Sequence, residues 1–564
     1  MPRRSLRWSL LLLALVILFG LPFAALFGLA LDAEREVWSH LWQTVLPGYV
    51  INSLQLTLLV GVGTLVLGVG SGWVMAMYDF PGRPWFEWSL LLPLAYPGYI
   101  VAMVYAELLD YAGPVQSTLR GWFGWRTPRD YWFPEIASIE GAAVVLTLVL
   151  YPYVYLLSRT AFQQQAGVLL EASRMLGFNR RRSFWNVGLP LARPAIIVGV
   201  SLVLMETLAD FGTVKILAVQ TFTTGIYHTW FGTSNPAGAA QLALSLLGFV
   251  VLLVAVERHS RKLQQSQSRN IIARPYPRKR PEPLKQGLAL LACGGPLFLG
   301  FLLPSALLIG WTWQAWASMR LGEFGEDVLH SLTLSAGAAV LAIVLGVFLN
   351  YGIRLNPRPI LRWVLRLVSL GYAIPGPVIA LGVLIPFAWM DRTWLNPLLL
   401  RWEWELTYLL SGTVLILLFA YLVRFLSLAF GTIEAGLSHV TSGMDEASRM
   451  LGRNQWQTLR EIHVPLLRRS VFTAGLLVFV DVMKELPATL MLRPFNFGTL
   501  ATRAFSYAAE ERLQQASLWC LTIVLFGLVP LILTHFKMQP TRRDLQESSS
   551  HRLMPIAQTS QTGT

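Results

Sequence analysis

Hydrophobic letters in this chain fall into long blocks separated by short polar, largely basic stretches. A helix needs roughly 20 apolar residues to cross a hydrocarbon layer of about 30 Å. Runs of that kind begin near Ser9, Ile51, Trp85, Ile139, Pro194 and Gly238, and again near Gly287, Val328, Trp363, Leu406, Ser470 and Ala516. The pattern predicts an all-α integral membrane protein with about 12 transmembrane helices. The first run, Ser9 to Ala30, follows Arg3, Arg4 and Arg7. It exceeds the apolar core of a signal peptide and shows no small-x-small cleavage site, so it reads as a retained anchor.

Composition supports the same class: 54% of the 564 residues are hydrophobic and 13% charged, too apolar and too long for one soluble domain. The formal charge of +14 raises the question of nucleic acid, but the basic residues cluster at the ends of the runs, where the positive-inside rule puts them. Under that rule the N-terminus, Arg159 to Arg193, Arg258 to Lys285, Arg354 to Arg366, Arg449 to Arg469, and Lys537 with Arg542 and Arg543 share one side. Both termini are therefore expected in the cytoplasm. Cys293 and Cys520 fall within predicted spans and read as packing residues.

A repeat divides the chain. Glu171 to Gly177 recurs letter for letter as Glu446 to Gly452, 275 positions on. Val187, Leu189 and Pro190 follow the first copy at the spacing of Ile462, Val464 and Pro465 after the second. Upstream, Asn52-Ser53-Leu54 matches His330-Ser331-Leu332, and Pro97-Gly98 matches Pro375-Gly376, at an offset of 278. Each half holds six runs in the same orientation, a parallel pseudo-two-fold repeat. The expected organisation is a first half over 1–257, a basic linker over 258–286, a second half over 287–536, and a polar, disordered tail over 537–564. The linker carries nine Lys or Arg against one Glu, with four prolines near its end, and is expected to be an extended tether.

The repeated loop has the marks of a short docking helix. Leu169, Ala172 and Leu176 give one apolar stripe, Gly177 supplies a left-handed stop, Ala172 and Ser173 leave room for close approach, and Glu171 can pair with a basic partner. An amphipathic helix lying on the bilayer is the alternative.

Within the predicted spans, Glu206 and Asp210 align with Asp481 and Glu485 at the 275 offset, each pair at i, i+4 on one helix face. A carboxylate at the bilayer centre costs roughly 2.5–3.5 kcal/mol, so these acids are expected to face a protein interior or a wet cavity. They either line a substrate pathway or pair locally, Asp481 with Lys484 and Asp210 with Lys215. Pro487 should kink its helix beside Glu485. Tyr96-Pro97-Gly98 and Ile374-Pro375-Gly376-Pro377 break their spans, as pathway linings or as simple kinks. Gly68 and Gly72 offer a close helix contact.

Enzyme chemistry finds no support. There is no Gly-x-x-x-x-Gly-Lys-Ser/Thr phosphate loop, His-Glu-x-x-His, Gly-x-Ser-x-Gly or Cys-x-x-Cys, and no cluster typical of a high-affinity metal site is evident.

The twin loops resemble the EAA loop of ABC-importer permeases, with Ser173 and Ser448 in place of the second Ala and Val464 in place of Leu. Thr221 to Phe231, the preceding Glu206 to Gly212, and Arg493 to Arg503 with Glu510, Glu511 and Arg512 resemble the fused ferric-iron permeases of that group. The resemblance implies two tandem type I importer permease halves in a bacterial inner membrane. It implies coupling loops over 159–193 and 429–469 that dock a separate ABC ATPase dimer through Glu171, Ala172, Ser173, Gly177, Leu189 and Pro190, and through Glu446, Ala447, Ser448, Gly452, Val464 and Pro465. ATP and Mg would be bound by that partner and no cofactor by this chain. A periplasmic solute-binding protein would deliver cargo to Gln220–Asn235 and Phe495–Arg512. The implied cargo is ferric iron; the alternatives are another small solute such as thiamine or a phosphonate, or an ion-coupled secondary transporter. Replacing Glu171 and Glu446 together is expected to uncouple ATP hydrolysis from uptake in a transport assay, and unimpaired uptake by the double variant would contradict the docking role.

Overall fold

The computed structural model describes residues 2–32, 35–164, 173, 175–267, 278–355, 371–400 and 409–538. Among the described residues the predicted apolar runs coincide with helix, the starts near Trp363 and Leu406 lying outside them. The elements used below are α1 (Pro2–Leu31), α2 (Leu46–Met77), α3 (Arg83–Ser89), α4 (Gly98–Leu109), α5 (Ile139–Gln164), α6 (Leu189–Ala209), α7 (Gly212–Ile216) and α8 (Pro236–Gln267). The second half supplies α9 (Pro283–Leu297), α10 (Leu303–Ala315), α11 (Leu321–Leu355), α12 (Gly376–Met390), α13 (Val414–Leu437), α14 (Ser442–Met450), α15 (Val464–Met483), α16 (Pro487–Leu492) and α17 (Leu513–Met538).

Among the described residues nine helices are long and apolar enough to cross a membrane, and a tenth span forms if the bent pair Arg83–Ala95 and Gly98–Phe123 counts as one. Two predicted spans fall outside that set. One is α1; the other is α15, which carries Arg468, Arg469 and Asp481 and is for that reason less apolar. The bent pair turns by 88° at Pro97, so the expected break is real.

The halves are built on each other. Helix α1 packs on α12 of the second half, and α10 packs on α4 and α17, so the leading helix of each half is an arm laid across the other. Glycines let the arms seat: a Cβ on Gly382 would lie 2.8 Å from the Pro22 carbonyl oxygen, and one on Gly300 would lie 2.7 Å from that of Leu148. The two large hydrophobic cores consequently each draw on both halves.

The expected contact along α2 is present. Its glycine face lies on α5, where a Cβ on Gly68 would stand 2.6 Å from Val154 Cβ and one on Gly72 2.4 Å from Ser158 Oγ. The repeat keeps the packing with different chemistry: Gly346 takes the place of Gly68, and Asn350, in the place of Gly72, donates from Nδ2 to the Phe430 carbonyl at 3.1 Å.

The linker departs from expectation. Helix α8 runs on through Arg258 to Gln267, because no Gly or Pro interrupts that polar stretch, and α9 already begins at Pro283. Between them Lys279 is extended and pairs with Tyr78, its N–H donating to Met77 and its carbonyl accepting from Asp79. Residues 268–277 and the predicted tail from 539 lie outside the described residues.

Because Gly68 has no space for a side chain, Gly68→Val is expected to destabilise the fold by about 1–3 kcal/mol through overpacking. The looser Gly346, whose Cβ would meet the Ile433 side chain at 3.0 Å, should accept Ala at less cost. Thermal unfolding of the two purified variants in detergent measures the difference.

Candidate functional site: twin loops and a charged central cavity

Beyond α5 and α13 the chain leaves the bundle and returns through α6 and α15, and the repeated loops lie in these excursions. Glu171 and Ala172 lie outside the described residues, as does Leu169; the second copy is described throughout, as α14. Gly177 and Gly452 adopt φ +82° and +76°. The Phe178 and Arg453 N–H groups donate back to the Ser173 and Ser448 carbonyls, a Schellman stop in both halves. Asn179 and Asn454 then cap the next turn through their Oδ1 atoms.

Ser173 and Ser448 face inward, which differs from the expectation that they leave room for a partner. Each is buried and shares a hydrogen bond with a hydroxyl ten residues on, Ser183 at 2.9 Å and Thr458 at 2.8 Å. Serine replaces alanine because it staples the loop shut. Glu446 and Ala447 are exposed. The outward apolar feature joins Leu176, which the stripe named, to Met175, which periodicity passed over: Met175 and Leu176 are 90% and 79% exposed, Met450 and Leu451 90% and 77%.

A widened turn follows in each half, over Phe184–Gly188 and Leu459–His463, closed by Leu189 and Val464 N–H groups donating five residues back. Pro190 and Pro465 come next, and their missing N–H groups make a regular turn impossible there. The anchors beneath the loops have diverged. In the first half Trp73 packs edge-on against Phe162 and Phe184, with ring centroids 5.1 and 4.8 Å apart. In the second, Asp445 accepts from Arg354 Nε at 2.8 Å and lies 2.6 Å from His463 Nε2, while Arg354 also donates to the Val440 carbonyl. Partial burial works to raise the Asp445 pKa, but the hydrogen bonds from Arg354 and His463 outweigh it and hold the carboxyl below its ordinary value.

At the bundle centre all four predicted acids line one cavity of about 140 Å³. Three of them are locally satisfied. Asp210 caps α7, accepting from Thr213 Oγ1 at 2.8 Å and the Val214 N–H at 3.1 Å; Lys215, its proposed partner, is exposed and forms no ion pair with it. Glu485 caps α16 through the Ala488 and Thr489 N–H groups and receives Arg424 Nη1 at 2.8 Å. Asp481 pairs with Lys484 at 2.8 Å, as expected. Glu206 has no ion pair among the described residues. Pro487 does not kink a continuous helix; α15 ends at Met483 and Pro487 opens α16.

The two Pro-Gly breaks bring helix N-termini to the same place. Gly98 and Gly376 open α4 and α12, and a Cβ on them would lie 3.5 Å from Asp210 Oδ1 and 2.9 Å from Glu485 Oε1. Helix dipoles thus face the carboxylates. Tyr96, Pro97 and Gly98 line the cavity, the pathway-lining reading of that break, whereas Pro375 and Gly376 are buried beside Glu485 and are not among its lining residues.

Sequence reasoning missed Arg424, Tyr153 and Tyr372 in this wall. Arg424 alone carried a signal, a charge inside an apolar run. A second space of about 850 Å³ extends from the cavity along α6, α8, α13 and α15 past Glu257, Arg258 and Glu434, toward the ends of α8 and α13 that lead to the linker and the loop.

At the opposite end, the other repeated residues explain themselves. Ser53 and Ser331 Oγ accept from the Phe222 and Leu500 N–H groups, and Asn52 and His330 hold the Gln220 and Gly498 carbonyls. Both following segments begin with a Thr-x-x-Thr capping box. Phe495, in the second of these loops, is 95% exposed.

Comparison with known proteins adds the following. The family described as binding-protein-dependent transport system inner membrane component matches residues 68–265 and 342–537. The chain is 27% identical over 542 residues to the Fe(3+)-transport system permease protein FbpB 2 of Haemophilus influenzae, covering 94% of this chain and 99% of that one. It is 23% identical over 518 residues to the ferric transport system permease protein FbpB of Actinobacillus pleuropneumoniae, covering 86% and 71%. It is also 27% identical over 219 residues to the sulfate transport system permease protein CysT of Escherichia coli, covering 38% and 74%.

The Asp445 clamp makes a prediction with a defined sign. Asp445→Asn should lower stability at neutral pH by about 1.5–3 kcal/mol, the range for hydrogen bonds to a charged group. Since the folded pKa is depressed, the carboxylate's contribution is complete above its ordinary value of about 3.9 and fades as pH falls through the lower folded value. Melting curves of wild type and variant should therefore converge only on strong acidification.

Proposed function

Because the chain belongs to the binding-protein-dependent transport system inner membrane components, we propose that it is the fused permease subunit of an ATP-driven importer of ferric iron. A periplasmic binding protein delivers the cargo, and a separate ATPase dimer, which holds ATP and Mg, powers its release. The halves are 1–257 and 287–536, the loop ends face the cytoplasm, and both termini lie on that side.

One observation carries the reading. Each exposed Met-Leu corner sits between two helices whose other parts line the central cavity: α5 with Tyr153 and α6 with Glu206 in the first half, α13 with Arg424 and α15 with Asp481 in the second. A push on the corner reaches the cavity through two rigid rods. Met and Leu protruding from a capped turn suit an apolar socket on a partner, with the exposed Glu446 at the rim. Glu171, Ala172, Ser173, Gly177, Leu189 and Pro190, and their counterparts Glu446, Ala447, Ser448, Gly452, Val464 and Pro465, are the residues that couple this chain to the ATPase.

Charge supports that cargo. Four carboxylates against one guanidinium and one ammonium leave the cavity two negative charges, Glu206 and Asp210 being the acids without a cationic partner. A low-dielectric space of that sign favours a cation and repels sulfate or a phosphonate. The loops at Gln220–Asn235 and Phe495–Arg512 receive the binding protein.

Proteoliposomes containing this chain, its ATPase and its binding protein test the proposal. Iron uptake is expected to require both ATP and the binding protein, and to fall at least tenfold when Met450 and Leu451 are both replaced by Ser. Uptake sustained by an ion gradient without ATP, or import of sulfate or a phosphonate instead of iron, would overturn it.

A further inference from the structure

The central cavity and the space beyond it share a wall. Leu94, Tyr153, Tyr372, Asp481 and Lys484 line both, so whatever passes from one to the other passes these side chains. Glu206 lines the cavity beside them, on the same helix as Leu202 and Met205, which line the outer space. Tyr153 lies close enough to Glu206, Asp481 and Lys484 to feel their charges, and Tyr372 likewise feels Glu206, Asp481 and Tyr153.

Tyr153 and Glu206 reach this corner from the first half and Tyr372, Asp481 and Lys484 from the second, and three of the five have no like counterpart across the repeat. At the repeat offset, Tyr153 corresponds to Leu428, Tyr372 to Leu94 and Lys484 to Ala209. The alignment is secure here because Gly68 abuts Val154 while Gly346 abuts Ala429, 275 positions on. Tyr99, 4% exposed in the same cavity, buries its hydroxyl with no hydrogen-bond partner among the described residues.

We propose that Glu206, Tyr153 and Tyr372 form a transit coordination site for the ferric ion, and that Lys484 is a tethered competitor that keeps the site weak. The inference rests on the cargo reading above. Carboxylate and phenolate oxygens are hard donors matched to a hard trivalent cation. On binding, each ligating phenol breaks its O–H bond and releases the proton to water in the outer space; the iron remains ferric and no electron moves. Three protein donors leave the remaining positions to water or to a small chelator. The Lys484 ammonium, held nearby by Asp481, repels the ion and favours its departure. Without the ammonium, the repulsion ends and the Asp481 carboxylate becomes a fourth donor.

The test uses the permease assembled with its ATPase, purified in detergent and given Fe(III) as its citrate complex. The readouts are the visible ferric–phenolate charge-transfer band and the amount of iron retained, with uptake measured on the same preparations in liposomes. Wild type should bind weakly. K484Q should bind at least tenfold more tightly, with a stronger band, yet transport more slowly. E206Q should weaken binding at least tenfold, and Y153F and Y372F should each reduce the band while leaving the chain folded, since each keeps its ring. A band of undiminished intensity in the Tyr153→Phe, Tyr372→Phe double variant would overturn the site. So would the lack of a band in K484Q when the wild-type preparation imports iron, a result that leaves the cargo reading standing. Failure of wild type to import iron at all would overturn both.

Discussion

An ionised carboxylate in an apolar bundle has to be given partners, and much of this structure is arranged to supply them. Asp210 and Glu485 each lie where two helices begin: α4 and α7 for the first, α12 and α16 for the second. Those beginnings exist because the spans are interrupted at Pro97, Asp210, Pro375 and Glu485. Unbroken helices would offer the acids no free N–H groups and no facing dipoles. The glycines at 98 and 376 then permit an approach that a Cβ would prevent. Broken spans, buried acids and close glycines are thus one solution to a single electrostatic problem, built twice.

Duplication conserved that solution and let the surroundings drift. The second half closes its acids with cations, Arg424 on Glu485 and Lys484 on Asp481, where the first has Val149 and Ala209 at the repeat positions. Beneath the loops, an aromatic cluster around Trp73 does in one half what the Arg354, Asp445 and His463 network does in the other. What stays constant is the outer form of each loop, with its glycine stop, inward serine and outward Met-Leu corner. Divergence inside with constancy outside is what a two-fold partner would impose on an asymmetric channel.

Much of this was legible in the sequence. Apolar blocks gave the helices, because length and hydropathy suffice when the solvent is hydrocarbon. The repeat gave the halves, and charges inside apolar blocks gave the cavity acids, because such charges are too costly to be incidental. Side-chain direction was harder. Leu176 was expected on a stripe with Leu169 and Ala172, but the exposed partner is Met175; Ser173 was expected outward and faces inward. A nine-residue helix such as α14, followed by a left-handed glycine, is too short for periodicity to fix a face. Lys215 is near Asp210 in sequence yet points elsewhere, because the helix ends at Ala209 and i, i+5 spacing loses its meaning. Tyr153, Tyr372 and Arg424 reach the wall from other helices, and no local pattern announces that. The linker's charge suggested extension, whereas its lack of Gly or Pro up to Gln267 permitted helix.

The strand-like contact of Lys279 with Tyr78 pins the start of the second half to the first. Joining two permease halves in one polypeptide turns their association into an intramolecular event, with an effective concentration on the millimolar scale for a short connection. Their mutual surface is thereby relieved of the duty of holding two proteins together. It can remain loosely filled and hydrated at its centre, as the charged cavity requires, and it can exist in more than one relative setting without the risk of dissociation. The tether also guarantees one copy of each half per assembly, so Tyr153 and Glu206 of the first always meet Tyr372, Asp481 and Lys484 of the second.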